Sequence, residues 1–264
     1  MGATVISVGE MVRDWRELRR LSQLDLAVEA EISQRHLSFI ESGRSAPSRE
    51  MLLHLAEHLE VPLRERNTML LAAGFAPAFP NRSFHDPSLA LARASVERVL
   101  SAHEPFPALA FDRHWNLVSA NQAVWSLLGT VREDLLQPSV NVLRVTLHPA
   151  GLAPCIVNIA EWRLHLINQL RRQLRITRDA VLNTLLKELE TYPFPSSDDS
   201  AGAESIAPDA IAIPLRLRTP SGTLSFVSTV TVFGTALEIT LSELTMEAFY
   251  PADEFTKTAL SGLG

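Results

Sequence analysis

Between residues 9 and 74, apolar side chains recur at intervals of three and four residues in five closely spaced runs. These are EMVRDWRELRRL, SQLDLAVEA, QRHLSFIES, SREMLLHLAEHL and LRERNTMLLAAG. That spacing lines up one face of an α-helix, so the pattern predicts five short amphipathic helices. Ser22, Ser33 and Ser48 stand just before three of the runs, where a side-chain oxygen accepts from a free backbone N–H. Ser22 with Asp25 has the form of a capping box, with Asp in place of Glu. Gly43 and Gly74 mark helix ends.

The periodicity then breaks. FAPAFPNRSFHDPS holds three Pro and reads as a linker, which divides the chain into residues 1–74, 75–89 and 90–264. A helix is expected over DPSLALARASVERVLSAHEP, then two short strands, ALAFDR and WNLVSAN, with a tight turn near Arg113–His114. Helical spacing dominates from about 121 to 191. Residues 193–209 have loop composition. The last third alternates apolar and polar residues as strands do, in AIAIPLRLRT, TLSFVSTVTVFG and ALEITLSELTMEAFYP, with hairpin turns at TPSG and FGTA. Two strands, a helical insert and three antiparallel strands make a PAS-like α+β order. The fold class is thus an all-α five-helix domain followed by an α+β PAS-like domain with an antiparallel sheet.

Within residues 22–47 the pattern is that of a helix-turn-helix. Leu26, Ala27, Ala30, Ile32, Leu37 and Ile40 form the inner face, with Ala27 where two helices cross. Arg35, Ser38, Phe39 and Ser42 point the other way on the second helix, and Ser33, Gln34 and Arg35 open it. The first turn of such a helix enters the major groove. Arg bonds guanine, Gln bonds adenine and an aromatic ring contacts the thymine methyl. Gln23, at a helix start, and Arg44, after a helix, suit phosphate contacts. The DNA-binding set is therefore Gln23, Ser33, Gln34, Arg35, Ser38, Phe39 and Arg44. Glu31 occupies the turn between the helices, where φ is expected to be positive and Gly is usual.

Charge changes this picture little. The 264 residues carry net −6, and residues 1–74 hold 9 Arg against 11 Asp and Glu, net −2. A DNA-binding head here depends on where its charges sit. No apolar run approaches the ~18 residues of a membrane span. The chain start lacks a basic region followed by an apolar core, so no signal peptide is expected. Cys155, the single cysteine, excludes an intrachain disulfide framework and agrees with a cytoplasmic location.

Residues 90–264 carry no G-x-S-x-G, no H-E-x-x-H and no Gly-rich phosphate loop, so no enzyme and no catalytic residue is expected. The His, Cys and acidic residues lack metal-ligand spacing, so no metal is expected. Polar residues do form stripes. Asn141, Arg144 and His148 share one side of NVLRVTLHP. Asn158, Trp162, His165, Gln169 and Arg172 share one side of IVNIAEWRLHLINQLRRQL. A Trp on such a face points to a cavity or an interface. Phe111, Trp115, Trp125, Phe226 and Phe233, with Leu143, Leu147 and Phe249, are candidate walls of an apolar pocket or plain core. Arg144 and His148 are candidate partners for a ligand carboxylate, with a Glu161 ion pair as the competing role of Arg144.

Two resemblances sharpen these expectations. LSQLDLAVEAEISQRHLSFIESGRSAPS resembles the lambda-repressor-like DNA-binding domain of the xenobiotic-response-element repressor family, through Ser22-Gln23, Leu26-Ala27 and Ile40-Glu41-Ser42-Gly43-Arg44. WNLVSAN, NVLRVTLHPAGLAP, IVNIAEWRLHLINQLRRQ, PLRLRTPSGTLSFVSTVTVFGTALEITLSEL and EAFYPADEFT resemble the ligand-binding domain of the MmyB-like transcription regulators. Ile159 departs from that family, which often has an aromatic residue there. The resemblance implies a bacterial regulator whose PAS-like domain senses an apolar ligand such as a fatty acid. Its other expected partners are a pseudo-palindromic double-stranded DNA operator and a second copy of the chain. The alternatives are a protein-interaction or dimerisation module and, further off, an acyl hydrolase using His148, Ser228 and Asp112.

Overall fold

The computed structural model describes residues 7–193 and 213–261. The chain forms two compact units, residues 1–83 with 234–242, and residues 84–233 with 243–264.

The first unit holds α1 (Val8–Leu18), α2 (Gln23–Glu29), α3 (Gln34–Glu41), α4 (Arg49–His58) and α5 (Leu63–Ala72). Ser7, Ser22, Ser33 and Ser48 cap the first four, each accepting a backbone N–H three residues on. Every one of the five helices ends in the same way. Arg20, Glu31, Gly43, Glu60 and Gly74 all have positive φ, from 47° to 82°. The next residue's N–H then returns to the carbonyl five residues back, as in Ile32 to Ala27 at 2.9 Å and Phe75 to Leu70 at 2.8 Å. This is the Schellman closure, which satisfies carbonyls the helix leaves open. The core joins Val12, Leu26, Leu37, Ile40, Leu55 and Leu70, all fully buried. Gly9 lets α1 approach α3: a Cβ there would meet the Ile40 carbonyl oxygen at 2.2 Å.

Residues 75–83, expected as linker, belong to this unit because buried Asn67 holds them. Its Oδ1 accepts from Ala78 and Phe79 N–H, and its Nδ2 donates to the Phe79 carbonyl at 2.7 Å. Residues 234–242 belong to it as well. Ile239, first residue of a short helix over Ile239–Ser242, donates its N–H to Pro80 O at 2.9 Å, and Glu238 accepts from Arg82 N.

The second unit begins with α6 (Ala90–Ala102). Next come strands β1 (Ala108–Phe111) and β2 (Leu117–Ala120). A helical insert follows, with α7 (Gln122–Leu127), α8 (Val142–Leu147), α9 (Ile159–Thr177) and α10 (Ala180–Thr191). Strands β3 (Leu215–Thr219), β4 (Gly222–Val232) and β5 (Thr245–Pro251) and a last helix (Glu254–Ser261) complete it. The five strands form one antiparallel sheet in the order β2-β1-β5-β4-β3. That is the α+β arrangement expected, and its strand order is consistent with a PAS-like domain. Asp112 shapes the β1–β2 turn by accepting from His114 N and Asn116 N, each at 2.8 Å.

Two expectations are corrected. FGTA is not a tight turn: Val232 pairs with Thr245, so the β4–β5 connection runs through residues 233–244. ALEITLSEL is accordingly not strand; Ile239–Ser242 is helical and the strand begins at Thr245. Ile239 is buried with its N–H bonded to Pro80 O instead of a neighbouring strand, and Leu237 is exposed. The loop expected at 193–209 and the start of AIAIPLRLRT lie outside the described residues, apart from Pro193 and Ile213 onward. Among the described residues, no helix is long and apolar enough to cross a membrane, and no cluster of His, Cys, Asp or Glu has metal-binding form.

Candidate functional site

Two sites emerge, one in each unit. In the first, the Ser33 hydroxyl starts α3 by accepting His36 N–H at 3.1 Å. Leu37 and Ile40 then turn inward, leaving Gln34 and Arg35 exposed on the first turn. Phe39 is half-buried on the same outward side. The Arg35 and Arg44 guanidinium carbons lie 5.3 and 5.7 Å from its ring centre. Both distances are in cation–π range. One ring thus orients a cation on α3 and another just beyond it. Ser38 is half-buried beside them.

Gln23 is placed differently. Its Nε2 donates to Glu41 Oε2 at 2.9 Å, inside a buried cluster. Arg16 donates to both Glu41 oxygens, at 2.6 and 2.9 Å, and Arg13 Nη2 donates to the Glu41 carbonyl at 2.9 Å. Burial pushes the Glu41 carboxyl up, but the bonds from Arg16 and Gln23 outweigh it and hold the group below the usual carboxylate range. The hydrogen bond to Glu41 raises Arg16 above the ordinary guanidinium value. This cluster joins α1, α2 and α3 and sets the angle at which α3 is presented.

In the second unit the sheet and the helical insert enclose an apolar cavity of about 100 Å³. Trp115, Trp162, Phe226, Leu143 and Phe249 contribute to its wall, as does Glu247. The wall is made because β4 and β5 turn alternate residues inward and α9 turns Trp162, Leu166 and Leu170 toward the sheet. Trp162 is therefore 3% exposed and on the apolar face, not on the polar stripe with Gln169 and Arg172. It stacks on His165, with ring centres 5.4 Å apart. Burial and Arg172 push the His165 pKa down.

The other residues expected at a ligand lie elsewhere. Phe111 is core and stacks on Trp115 at 4.7 Å. Leu147 is core as well. Trp125 is 42% exposed on α7. Phe233 is half-buried just after β4. Ile159 packs at the edge of the core. Asn141 caps α8, accepting from Arg144 N and donating to His114 O at 2.9 Å. Asn158 ties α9 to β3 by donating to Pro214 O and accepting from Arg216 N. Arg144 does not pair with Glu161. Its Nε and Nη2 donate to Glu188 at 2.7 Å each, clamping α8 to α10. His148 Nδ1 accepts from Ala150 N, and its ring meets Tyr192 edge-on. Neither Arg144 nor His148 is on the cavity wall. Asp112 serves the β1–β2 turn, accepting from His114 N and Asn116 N.

Glu247 was not anticipated. Burial pushes its carboxyl up, opposed by a hydrogen bond from Ser228. The signal was present in TMEAFYP: Glu247 is two residues from Phe249, so the two share one face of β5.

Comparison with known proteins assigns a family to each part of the chain. Residues 12–66 match the helix-turn-helix family. Residues 92–263 match the family described as the MmyB-like transcription regulator ligand binding domain. No curated protein matches the chain. With that domain spanning more than half of its length, and a helix-turn-helix before it, the chain belongs to the MmyB-like transcription regulators.

Proposed function

We propose that this chain is a bacterial, cytoplasmic regulator that binds a pseudo-palindromic operator as a homodimer, and that a small apolar molecule in the cavity of residues 90–264 sets its operator affinity. The carrying observation is the apolar cavity inside the domain whose family binds ligands. Gln34 and Arg35 read bases, with Ser38 and Phe39 beside them. Ser33 and Arg44 contact phosphate, and Gln23 acts through Glu41 to position α3. Two heads spaced about 34 Å apart give the half-site geometry that a weakly charged head needs.

The chain path supports a route for coupling. β4 and β5 supply Phe226, Glu247 and Phe249 to the cavity wall, and the connection between them includes residues 234–242 of the first unit. A ligand that favours one setting of these strands changes operator affinity by its differential affinity for the two states. A fatty acyl chain suits the wall, although Arg144 and His148 do not stand there to receive its carboxylate. A second reading, that this domain is a protein-interaction module, draws on the exposed Trp125.

Selection from a random duplex pool with the full-length chain, followed by sedimentation of the complex, tests the DNA half of the proposal. Enrichment of a two-fold symmetric site bound by two chains is expected. Sequence-blind binding by one chain would contradict it.

A further inference from the structure

A larger recess adjoins the cavity in the same unit. It is a groove of about 560 Å³ lined by residues of α7, the single helical turn Ala153–Cys155, the edge strand β3 and the last helix. Leu127, Leu152 and Leu217 line both spaces, so groove and cavity share a wall of leucine side chains. Leu127 and Leu152 are only half-buried. Such a wall opens by a change of rotamer, with no movement of the backbone. The two spaces differ in chemistry. The cavity is apolar, whereas Gln122, Ser126, Thr130, Ser221 and Arg218 bring polar groups to the groove. Arg218 is exposed, and its side chain has no hydrogen bond or ion pair among the described residues. Glu104, the acidic residue of the groove, is already engaged: its Oε1 accepts from Gln122 N at 2.7 Å.

We infer that the groove is the mouth of the cavity, and that its occupant is a linear amphiphile with an anionic head. The tail passes Leu127 and Leu152 into the cavity, and the head stays in the groove on the Arg218 guanidinium. Length and charge both point this way. A cavity of about 100 Å³ holds about six carbon atoms, so a longer chain extends into the adjoining space. An anion inside the apolar cavity would bear the full cost of burial, which the open groove spares it. An unpaired guanidinium meets a carboxylate through two parallel hydrogen bonds. The inference rests on the cavity being the ligand site.

Decanoate and 1-decanol, equal in chain length and different in charge, test it on the full-length chain. Filling of the cavity is read at the indole N–H resonance of Trp162, which lines it. Occupancy of the groove is read at Cys155, the chain's single cysteine, which is half-buried in the groove wall. Decanoate should slow alkylation of Cys155 by iodoacetamide, with the same concentration midpoint as the Trp162 shift. Arg218→Gln removes an exposed side chain without partners, so the variant keeps its fold. It should raise the Kd of decanoate about tenfold, the loss of one charge-assisted contact, and leave that of 1-decanol unchanged. Decanoate that shifts Trp162 yet leaves Cys155 unprotected, and binds Arg218→Gln equally well, would overturn the inference and leave the ligand-sensing reading standing. Failure of both probes to shift Trp162 would overturn both.

Discussion

The Arg16 guanidinium and the Glu41 carboxylate meet side-on, Nε to Oε1 at 2.6 Å and Nη2 to Oε2 at 2.9 Å, with the Glu41 side chain fully out of solvent. Removing one partner of a buried pair leaves an uncompensated charge, so Arg16→Met is predicted to destabilise the DNA-binding unit by about 3 kcal/mol. Hydrogen exchange over α1–α3 reads the loss. The pair also sets a pH dependence. The Glu41 carboxyl is held below its ordinary value of 4.5. Its contribution is therefore complete above that value and is lost as pH falls through the lower, folded-state value. In Glu41→Gln that acid-side loss should flatten.

Glu31 has φ +53° in the turn between α2 and α3. A residue with a Cβ pays about 1 kcal/mol there, which Gly avoids. Glu31→Gly is predicted to raise the stability of the unit by up to about that amount, with operator affinity unchanged. Thermal unfolding measures the first and a binding isotherm the second. An equal or lower melting temperature would contradict the account of this turn.

Gly9 works in the opposite sense. Its α-carbon faces the carbonyls of Ile40 and Glu41, leaving no room for a methyl group. Gly9→Ala should push α1 from α3 and cost about 2 kcal/mol by overpacking, despite the better helix propensity of Ala. Denaturant titration of the variant tests this.

Arg35 and Arg44 share the Phe39 ring but are assigned different tasks. Arg35→Ala should relax sequence preference at one base pair, at about 1–3 kcal/mol, whereas Arg44→Ala should weaken all duplexes alike and reduce the salt slope by about one. Isotherms on matched and mismatched duplexes at several salt concentrations distinguish them. The reverse pattern would exchange the two roles.

The five helices of the head were legible because each has its own apolar stripe, and four of them a serine cap. The helical insert and β1, β2 and β3 followed from periodicity for the same reason. What escaped was set by tertiary contacts. ALEITLSEL alternates as a strand does, yet Ile239 and Glu238 bond to Pro80 and Arg82 instead of a neighbouring strand. Arg144 was legible as a bidentate cation, but its partner Glu188 lies 44 residues away, beyond any local pattern. Trp162 was singled out as misplaced on a polar stripe; its true face became clear only where α9 meets the sheet. Glu247 was overlooked because a charged residue in a strand reads as solvent-facing unless the inward register is known.

The central claim is that occupancy of the cavity and operator affinity are linked. The most direct test is the operator Kd of the full-length chain at rising concentration of decanoic acid, with occupancy followed at the Trp162 indole N–H. The account predicts a Kd shift of about fivefold or more on saturation, in the ordinary range of allosteric coupling. A saturated cavity with an unchanged operator Kd would contradict it.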